Sequence, residues 1–267
     1  MSHSSEVLSE GLVLEREGGA LTITIDRPND QNRLSPEVIA RLGTLAETLR
    51  DDSSTNVVVI TGGSSSIFSL GILNPAIRAS YSKDDIVRLV RRANAVFDAI
   101  EALPQIIIAA INGKMLAGAV ELALACDLRY AASSATMAMP EATWGGFPGA
   151  GAPVRLPLLV GRARALELIC TGREIDAQEM ERLGLAQGVY PQDKFAEAVR
   201  QLTNRIAASG PLAMRGAKRI MAARQEPGFR SARELSDALR YALEWSTDVD
   251  EGIAAHRENR KPKFTGR

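Results

Sequence analysis

Hydrophobic and polar positions in the first 111 residues alternate between strand-like and helix-like spacing. Residues 21–26 alternate apolar and polar side chains, which predicts a strand with one buried face. Residues 57–60 and 106–111 are continuous apolar runs and predict strands buried on both faces. Residues 36–49 and 84–102 carry apolar side chains three and four positions apart, which predicts amphipathic helices. This succession is typical of α/β proteins.

After residue 161 the pattern is helical. An amphipathic helix over 195–208 ends at Gly210 and Pro211, residues that commonly follow a helix. We expect Ser231 to cap a new helix and residues 248–251 to cap the last one. The predicted division of the chain is a core that carries the functional site, residues 1–209, and a C-terminal helical segment, residues 210–267.

Charge and composition narrow the function classes. The 32 basic and 32 acidic residues cancel, so neither nucleic acid nor an anionic membrane is an expected partner. The N-terminus has no apolar signal region and no apolar run reaches membrane-spanning length, which favours a cytoplasmic protein with reduced thiols. His3 and His256 are the only histidines, so we expect neither a Ser-His-Asp triad nor a metal site.

Candidate chemistry lies between residues 106 and 151. A small-residue helix over 117–127 carries Glu121 among apolar neighbours, where a carboxylate is costly unless another group satisfies or uses it. Glu141 and the glycine-rich loop at 145–151 follow. Carboxylates and backbone amides are therefore the groups expected to carry the chemistry.

These residues resemble the enoyl-CoA hydratase/isomerase (crotonase) family. The resemblance covers nearly the whole chain and is carried by seven stretches in order: 60–63, 68–71, 112–127, 140–141, 148–151, 155–161 and 260–262. It implies an α/β fold, a spiral of ββα units followed by a C-terminal helical segment that assembles homotrimers or, by pairing trimers, homohexamers. It also implies an acyl-CoA substrate and no cofactor besides the coenzyme A that carries the acyl group.

The resemblance assigns two catalytic glutamates. Glu121 would be the base-like partner that holds a water molecule, Glu141 the acid that protonates the α-carbon, and the Gly149 amide a third contact to the water. Two carboxyl groups that share a water can divide these roles. The simpler structural interpretations are an ion pair between Glu121 and a residue such as Arg129, and a capping role for Glu141.

The resemblance also assigns two amides, those of Ile72 and Gly118, to an oxyanion hole for the thioester carbonyl. The family usually has Ala-Asp where this chain has Ile72 and Leu73. Asn74 and Pro75 follow and form an N-cap pair that restarts the helix one residue later. The alternative is that the glycines here only permit tight packing.

Bulky apolar residues surround these positions, which predicts a confined pocket for a short acyl chain. The predicted substrate-binding residues are Leu73, Met115, Leu116, Trp144 and Phe147. One short substrate class of the family is 3-methylthioacryloyl-CoA, and methionine and aromatic side chains suit a sulfur-bearing group as well as plain carbon. The alternative is that these residues fill the core.

Hydration of a short-chain enoyl-CoA is the favoured function. Isomerases of the family generally need only the Glu141-type carboxylate, whereas hydratases keep both. Δ3-Δ2 enoyl-CoA isomerisation is the alternative within the family. RNA binding, found in one branch of the family, is the alternative from another class, and the zero net charge argues against it.

Overall fold

The structure is a computed structural model that describes residues 3–63 and 66–263. Its strands are β1 (His3–Leu8), β2 (Leu12–Glu17), β3 (Ala20–Ile25), β4 (Val57–Gly62), β5 (Ile67–Ser69), β6 (Ile106–Ile111), β7 (Lys114–Leu116), β8 (Leu128–Ala132), β9 (Thr136–Ala138), β10 (Ile175–Asp176) and β11 (Val189–Tyr190). Its α-helices are α1 (Pro36–Arg50), α2 (Pro75–Arg78), α3 (Lys83–Glu101), α4 (Gly118–Leu124), α5 (Ala152–Thr171), α6 (Ala177–Arg182), α7 (Phe195–Ala207), α8 (Pro211–Glu244) and α9 (Thr247–Arg257). Two 3-10 helices span Pro28–Asp30 and Pro140–Trp144.

The strands form two sheets, built by a repeating unit. The larger sheet has the order β1-β2-β3-β4-β6-β8-β11 and is parallel from β3 onward. The smaller sheet has the order β10-β9-β7-β5. Each of the pairs β4–β5, β6–β7 and β8–β9 gives its first strand to the larger sheet and its second to the smaller one. This confirms the predicted α/β spiral of ββα units.

The continuous apolar strands lie where both faces of the larger sheet are covered. In β4, Val58 and Ile60 pack into the main core, whereas Val57 and Val59 pack into a second cluster with Phe195 of α7. Apolar side chains are therefore needed on every position of this strand, and no alternation is expected. The main core includes the buried stripes of α1 and α3, as the helical spacing predicts.

The C-terminal helices differ from the prediction. Residues Pro211–Glu244 form one helix, so the expected new helix at Ser231 is wrong. Only the first N–H groups of a helix need a cap, and a capping pattern in a helix interior has no free N–H to satisfy. The last helix begins before Asp248, because the Ser246 side chain accepts a hydrogen bond from the Val249 N–H and caps it. Within the described residues, no helix is both long and apolar enough to cross a membrane.

Candidate active site

A cavity of about 570 Å³, mouth included, lies between α2, the start of α4, the 3-10 helix Pro140–Trp144, the glycine-rich loop and α9. Eight of the ten predicted site residues line it: Ile72, Leu73, Gly118, Glu121, Glu141, Trp144, Phe147 and Gly149. Met115 and Leu116 are not among the lining residues. Met115 lies in β7, is 2% exposed and packs in the main core. The structure thus brings the two carboxyl groups and both proposed amides into one cavity.

Glu121 lies on α4, all of whose residues are buried, and is itself 3% exposed. Its Oε1 accepts a hydrogen bond of 3.0 Å from the N–H of Ala152, the first residue of α5. A helix N-terminus carries a partial positive charge, so this contact stabilises a carboxylate. Arg129 instead donates to the carbonyl oxygens of Leu185, Ala123 and Cys126, and in the described part of the chain it does not pair with Glu121.

Glu141 is the second residue of the 3-10 helix, and Pro140 is the first. The residue at the cap position is Met139, whose side chain makes no capping hydrogen bond, so Glu141 is not the N-cap residue of this helix. The helix ends at Gly145, which has a left-handed conformation with φ of 78°, and the Gly146 N–H donates to the Glu141 carbonyl oxygen. This tight turn places the carboxyl group in the cavity wall.

The amide nitrogens of Ile72 and Gly118 lie side by side. Gly71 adopts φ of +75°, and a Cβ there would lie 3.0 Å from the Gly118 nitrogen; a Cβ on Gly118 would lie 3.3 Å from the Ile72 nitrogen. Within residues 3–63 and 66–263 neither amide N–H has a hydrogen-bond acceptor, although both residues line the cavity. Two adjacent donors without acceptors suit an oxygen that carries negative charge.

The strained residue of this region is Ala117, which precedes α4 with φ of 53°. Positive φ is uncommon for a residue with a Cβ and often marks functional positions. The conformation is held because the Ala117 N–H donates to the Ala138 carbonyl oxygen of β9 at 2.9 Å. The smaller sheet thus helps to set the direction of the Gly118 amide.

Comparison with known proteins identifies the family. A family model described as enoyl-CoA hydratase/isomerase matches residues 15–267. The chain belongs to this family.

Curated relatives and solved structures agree with the family assignment. The 2,3-dehydroadipyl-CoA hydratase of Escherichia coli is 32% identical, covering 96% of this chain and 99% of the relative. The crotonyl-CoA hydratase of Syntrophomonas wolfei is also 32% identical, covering 96% and 98%. A crystal structure of enoyl-CoA hydratase from Bacillus anthracis superposes with a TM-score of 0.77 at 32% identity, covering 96% of this chain and 100% of that one.

The departure from the usual family sequence after Gly71 is accommodated locally. The Asn74 side chain caps α2 by accepting from the Ile77 N–H at 2.8 Å, and Pro75 is the first helical residue. The predicted restart of the helix one residue later is confirmed. Ile72 remains beside Gly118, so the missing aspartate does not separate the two amides.

Several cavity residues were missed from sequence. Arg78 of α2 lines the cavity and forms an ion pair with Glu244 of α8, and Ile253 of α9 also lines the cavity. These partners are far apart in sequence, so no local spacing indicates them. Arg260, near the C-terminus, does not line the cavity and forms ion pairs with Glu251 and Glu258.

Proposed function

We propose that this chain is an enoyl-CoA hydratase that adds water across the double bond of a short-chain α,β-unsaturated acyl-CoA. The observation that carries the proposal is that Glu121, Glu141 and the adjacent amides of Ile72 and Gly118 line one cavity. Hydration needs a proton acceptor for the water, a proton donor for the α-carbon and stabilisation of the charge that develops on the thioester oxygen. The cavity supplies a group for each need.

In the proposed reaction, Glu121 accepts a proton from water as the water oxygen bonds to the β-carbon. The electrons of the double bond move toward the thioester carbonyl, and its oxygen receives the N–H groups of Ile72 and Gly118. Glu141 delivers a proton to the α-carbon, and the carbonyl reforms. The Gly149 N–H gives the water a third contact. One water is added and both carboxyl groups are restored by proton exchange with solvent.

Hydration is favoured over isomerisation because Glu121 is placed as a second functional carboxyl group. The Ala152 N–H and the start of α5 stabilise its ionised form, which suits a group that accepts a proton. A double-bond shift needs only one carboxyl group to carry the proton between carbons, so Glu121 would then be a buried charge without a catalytic task.

The walls of the cavity favour a short acyl chain. Leu73, Trp144 and Phe147 line it, and their bulky apolar side chains restrict the space beside the two carboxyl groups. We include 3-methylthioacryloyl-CoA among the candidate substrates. Its hydration would place a hydroxyl and a thioether on one carbon, and the adduct would expel methanethiol and leave an aldehyde.

Assembly into trimers or hexamers also stays a proposal. Leu158 and Leu159 of α5 and Leu212 of α8 are exposed in the single chain, and their burial between subunits would remove apolar surface from water. Light scattering coupled to gel filtration measures the mass directly. A monomeric mass at micromolar protein would overturn the proposal.

The first experiment follows the loss of enoyl-thioester absorbance with crotonyl-CoA and with 3-methylthioacryloyl-CoA, with a thiol-trapping reagent to detect methanethiol. Glu121→Gln and Glu141→Gln should each lower kcat by roughly 10²–10⁴-fold, the usual contribution of general acid–base groups. Glu174→Gln is the matched control, because Glu174 forms a half-exposed ion pair with Lys114 outside the cavity.

Each outcome bears on the proposal. If folded Glu141→Ala kept full turnover, the assigned acid would be wrong. If Glu121→Ala kept most turnover toward a 3-enoyl-CoA while the wild type did not hydrate crotonyl-CoA, the isomerase assignment would replace hydration. A strong preference for the sulfur substrate, with trapped methanethiol, would identify the finer substrate class.

A further inference from the structure

A polar residue on α3 contacts the back of the glycine-rich loop. Asn94 is 3% exposed, and its Nδ2 donates to the Gly149 carbonyl oxygen at 2.7 Å. The same Nδ2 donates to Asp237 of α8 at 3.3 Å, and its Oδ1 accepts a hydrogen bond from Arg233 of α8. Asn94 does not line the cavity. It therefore contacts the loop without itself lining the cavity.

The two α8 partners determine which way the Asn94 carboxamide faces. A guanidinium only donates, so Arg233 requires the Asn94 oxygen, whereas an ionised Asp237 only accepts and requires an N–H. The remaining N–H of Asn94 is then directed to Gly149. The orientation is thus set by three contacts, and a carboxamide is the only side-chain group of this size that satisfies all three.

Hydrogen bonds from other elements hold this part of the loop. Residues 149–151 lie outside any strand or helix, and glycine has the widest backbone freedom. The next carbonyl oxygen, that of Ala150, accepts from Arg155 at 3.4 Å. Arg155 and Arg233 both donate to Asp98. One polar network therefore joins α3 and α8 to this loop. The residue that follows the loop is Ala152, whose N–H donates to Glu121.

We propose that Asn94 is a positioning residue for hydration. Oriented by Arg233 and Asp237, it holds Gly149 so that the Gly149 N–H contacts the attacking water. The inference rests on the proposed hydratase function and adds to it a requirement for helix α8. If Asn94 instead only satisfies a buried carbonyl oxygen, its replacement should change the stability of the protein and not the hydration rate.

Asn94→Asp tests the proposed role of the Asn94 N–H donor most directly. It keeps the shape of the side chain and the contact with Arg233, but it opposes the Gly149 carbonyl oxygen and Asp237 with another acceptor. A displacement of about 1 Å at a reacting group lowers rates by up to about 10²-fold. We expect kcat for hydration to fall by roughly 10- to 100-fold, with KM changed less than about threefold because Asn94 does not line the cavity.

A second reaction separates positioning of water from general damage. Exchange of the α-hydrogen of a saturated acyl-CoA with deuterium from D₂O needs Glu141 and the two amides but no water bound at Gly149. Asn94→Asp should leave this exchange within about threefold of the wild-type rate, whereas distortion of the whole site would lower both reactions.

Asn56→Asp is the matched control, because Asn56 donates to the Ala207 carbonyl oxygen at 3.3 Å outside the cavity. Arg233→Met tests the same idea without altering Asn94. It removes the contact that orients the carboxamide and should lower hydration by roughly tenfold, the equivalent of one hydrogen bond. It also decides the matter if Asn94→Asp does not fold.

The inference is overturned if Asn94→Asp, or Arg233→Met in its place, hydrates as fast as Asn56→Asp, or if hydration and α-hydrogen exchange fall together. Those results would leave the hydratase function standing. A wild-type protein that hydrates no enoyl-CoA would overturn the proposed function, and this inference with it.

Discussion

Replacing Gly252 with alanine tests whether α9 forms part of the active-site wall. A Cβ on Gly252 would lie 2.0 Å from the Trp144 carbonyl oxygen and 2.5 Å from its carbonyl carbon. Trp144 ends the 3-10 helix that carries Glu141, and Ile253, the next residue of α9, lines the cavity. The absence of a side chain at residue 252 is therefore what allows α9 to lie against the segment that carries Glu141.

The size of the effect follows from this distance. Ordinary carbon–oxygen contacts begin at about 3.3 Å, so the two backbones must separate by roughly 1.3 Å, the difference between 3.3 Å and 2.0 Å. Overpacking of this kind destabilises by about 1–3 kcal/mol, while the helix preference of alanine over glycine returns about 1 kcal/mol. The expected net loss in free energy of unfolding is about 0–2 kcal/mol. A shift of this size near Glu141 should lower kcat by about 10²-fold.

Gly216→Ala supplies the control, because Gly216 lies within α8 and a Cβ there has no atom within 4 Å. That variant should gain only the helix preference, about 1 kcal/mol, and keep its activity. Urea unfolding and the rate of crotonyl-CoA hydration are measured for both proteins. If Gly252→Ala were stabilised as much as Gly216→Ala and kept its kcat, the packing of α9 against Trp144 would be refuted.

Three further predictions concern single residues. Gly71→Ala should lower kcat/KM at least about 10²-fold and lower Tm. The reason is that Gly71 has φ of +75° and a Cβ there would lie 2.5 Å from a backbone carbonyl oxygen. Unchanged kcat/KM would show that the conformation of this turn does not matter for catalysis. Burial raises the pKa of the Cys126 thiol to about 12, so a thiol reagent should label only the exposed Cys170 in the native protein. The native Cys170→Ser variant should therefore not be labelled. Labelling of that variant would contradict the burial of Cys126. A hydrogen bond from Arg260 lowers the pKa of Glu251 to about 2, so this contact stabilises the fold above the usual pKa of glutamate and weakens as the pH falls toward 2. Arg260→Met should therefore lower Tm more at pH 7 than at pH 3 in low salt, and equal decreases would be inconsistent with this linkage.

The elements that were predictable from sequence are those whose signals are local. The strand β4 and the helix α3 begin within one residue of the predicted positions, because apolar spacing reports burial along a single element. The helix restart at Asn74 is equally local. Ser231 shows the limit of such signals, since a capping pattern predicts a helix start only where the preceding residues are not already helical.

The parts of the site that were not predictable depend on contacts between distant residues. The Ala152 amide that satisfies Glu121 and the α8 side chains that orient Asn94 come from elements whose positions only the assembled fold determines. The sequence does contain one indication that Asn94 has a specific role. It lies on the apolar stripe of α3, three residues before Phe97 and four after Val90, where a polar side chain needs a partner.

The candidate amide pair tolerates the departure from the usual family residue at position 72. Because the donors are backbone N–H groups, the side chain at this position is free to change as long as the two peptide groups keep their places. In this chain a Cβ on Gly118 would lie 2.7 Å from Ile72 Cγ1 and 2.8 Å from its Cδ1, so the isoleucine fills the space that glycine leaves empty. The isoleucine at residue 72 therefore packs in this position only because residue 118 has no side chain. The glycine at 118 is therefore required by the contact with the Ile72 side chain.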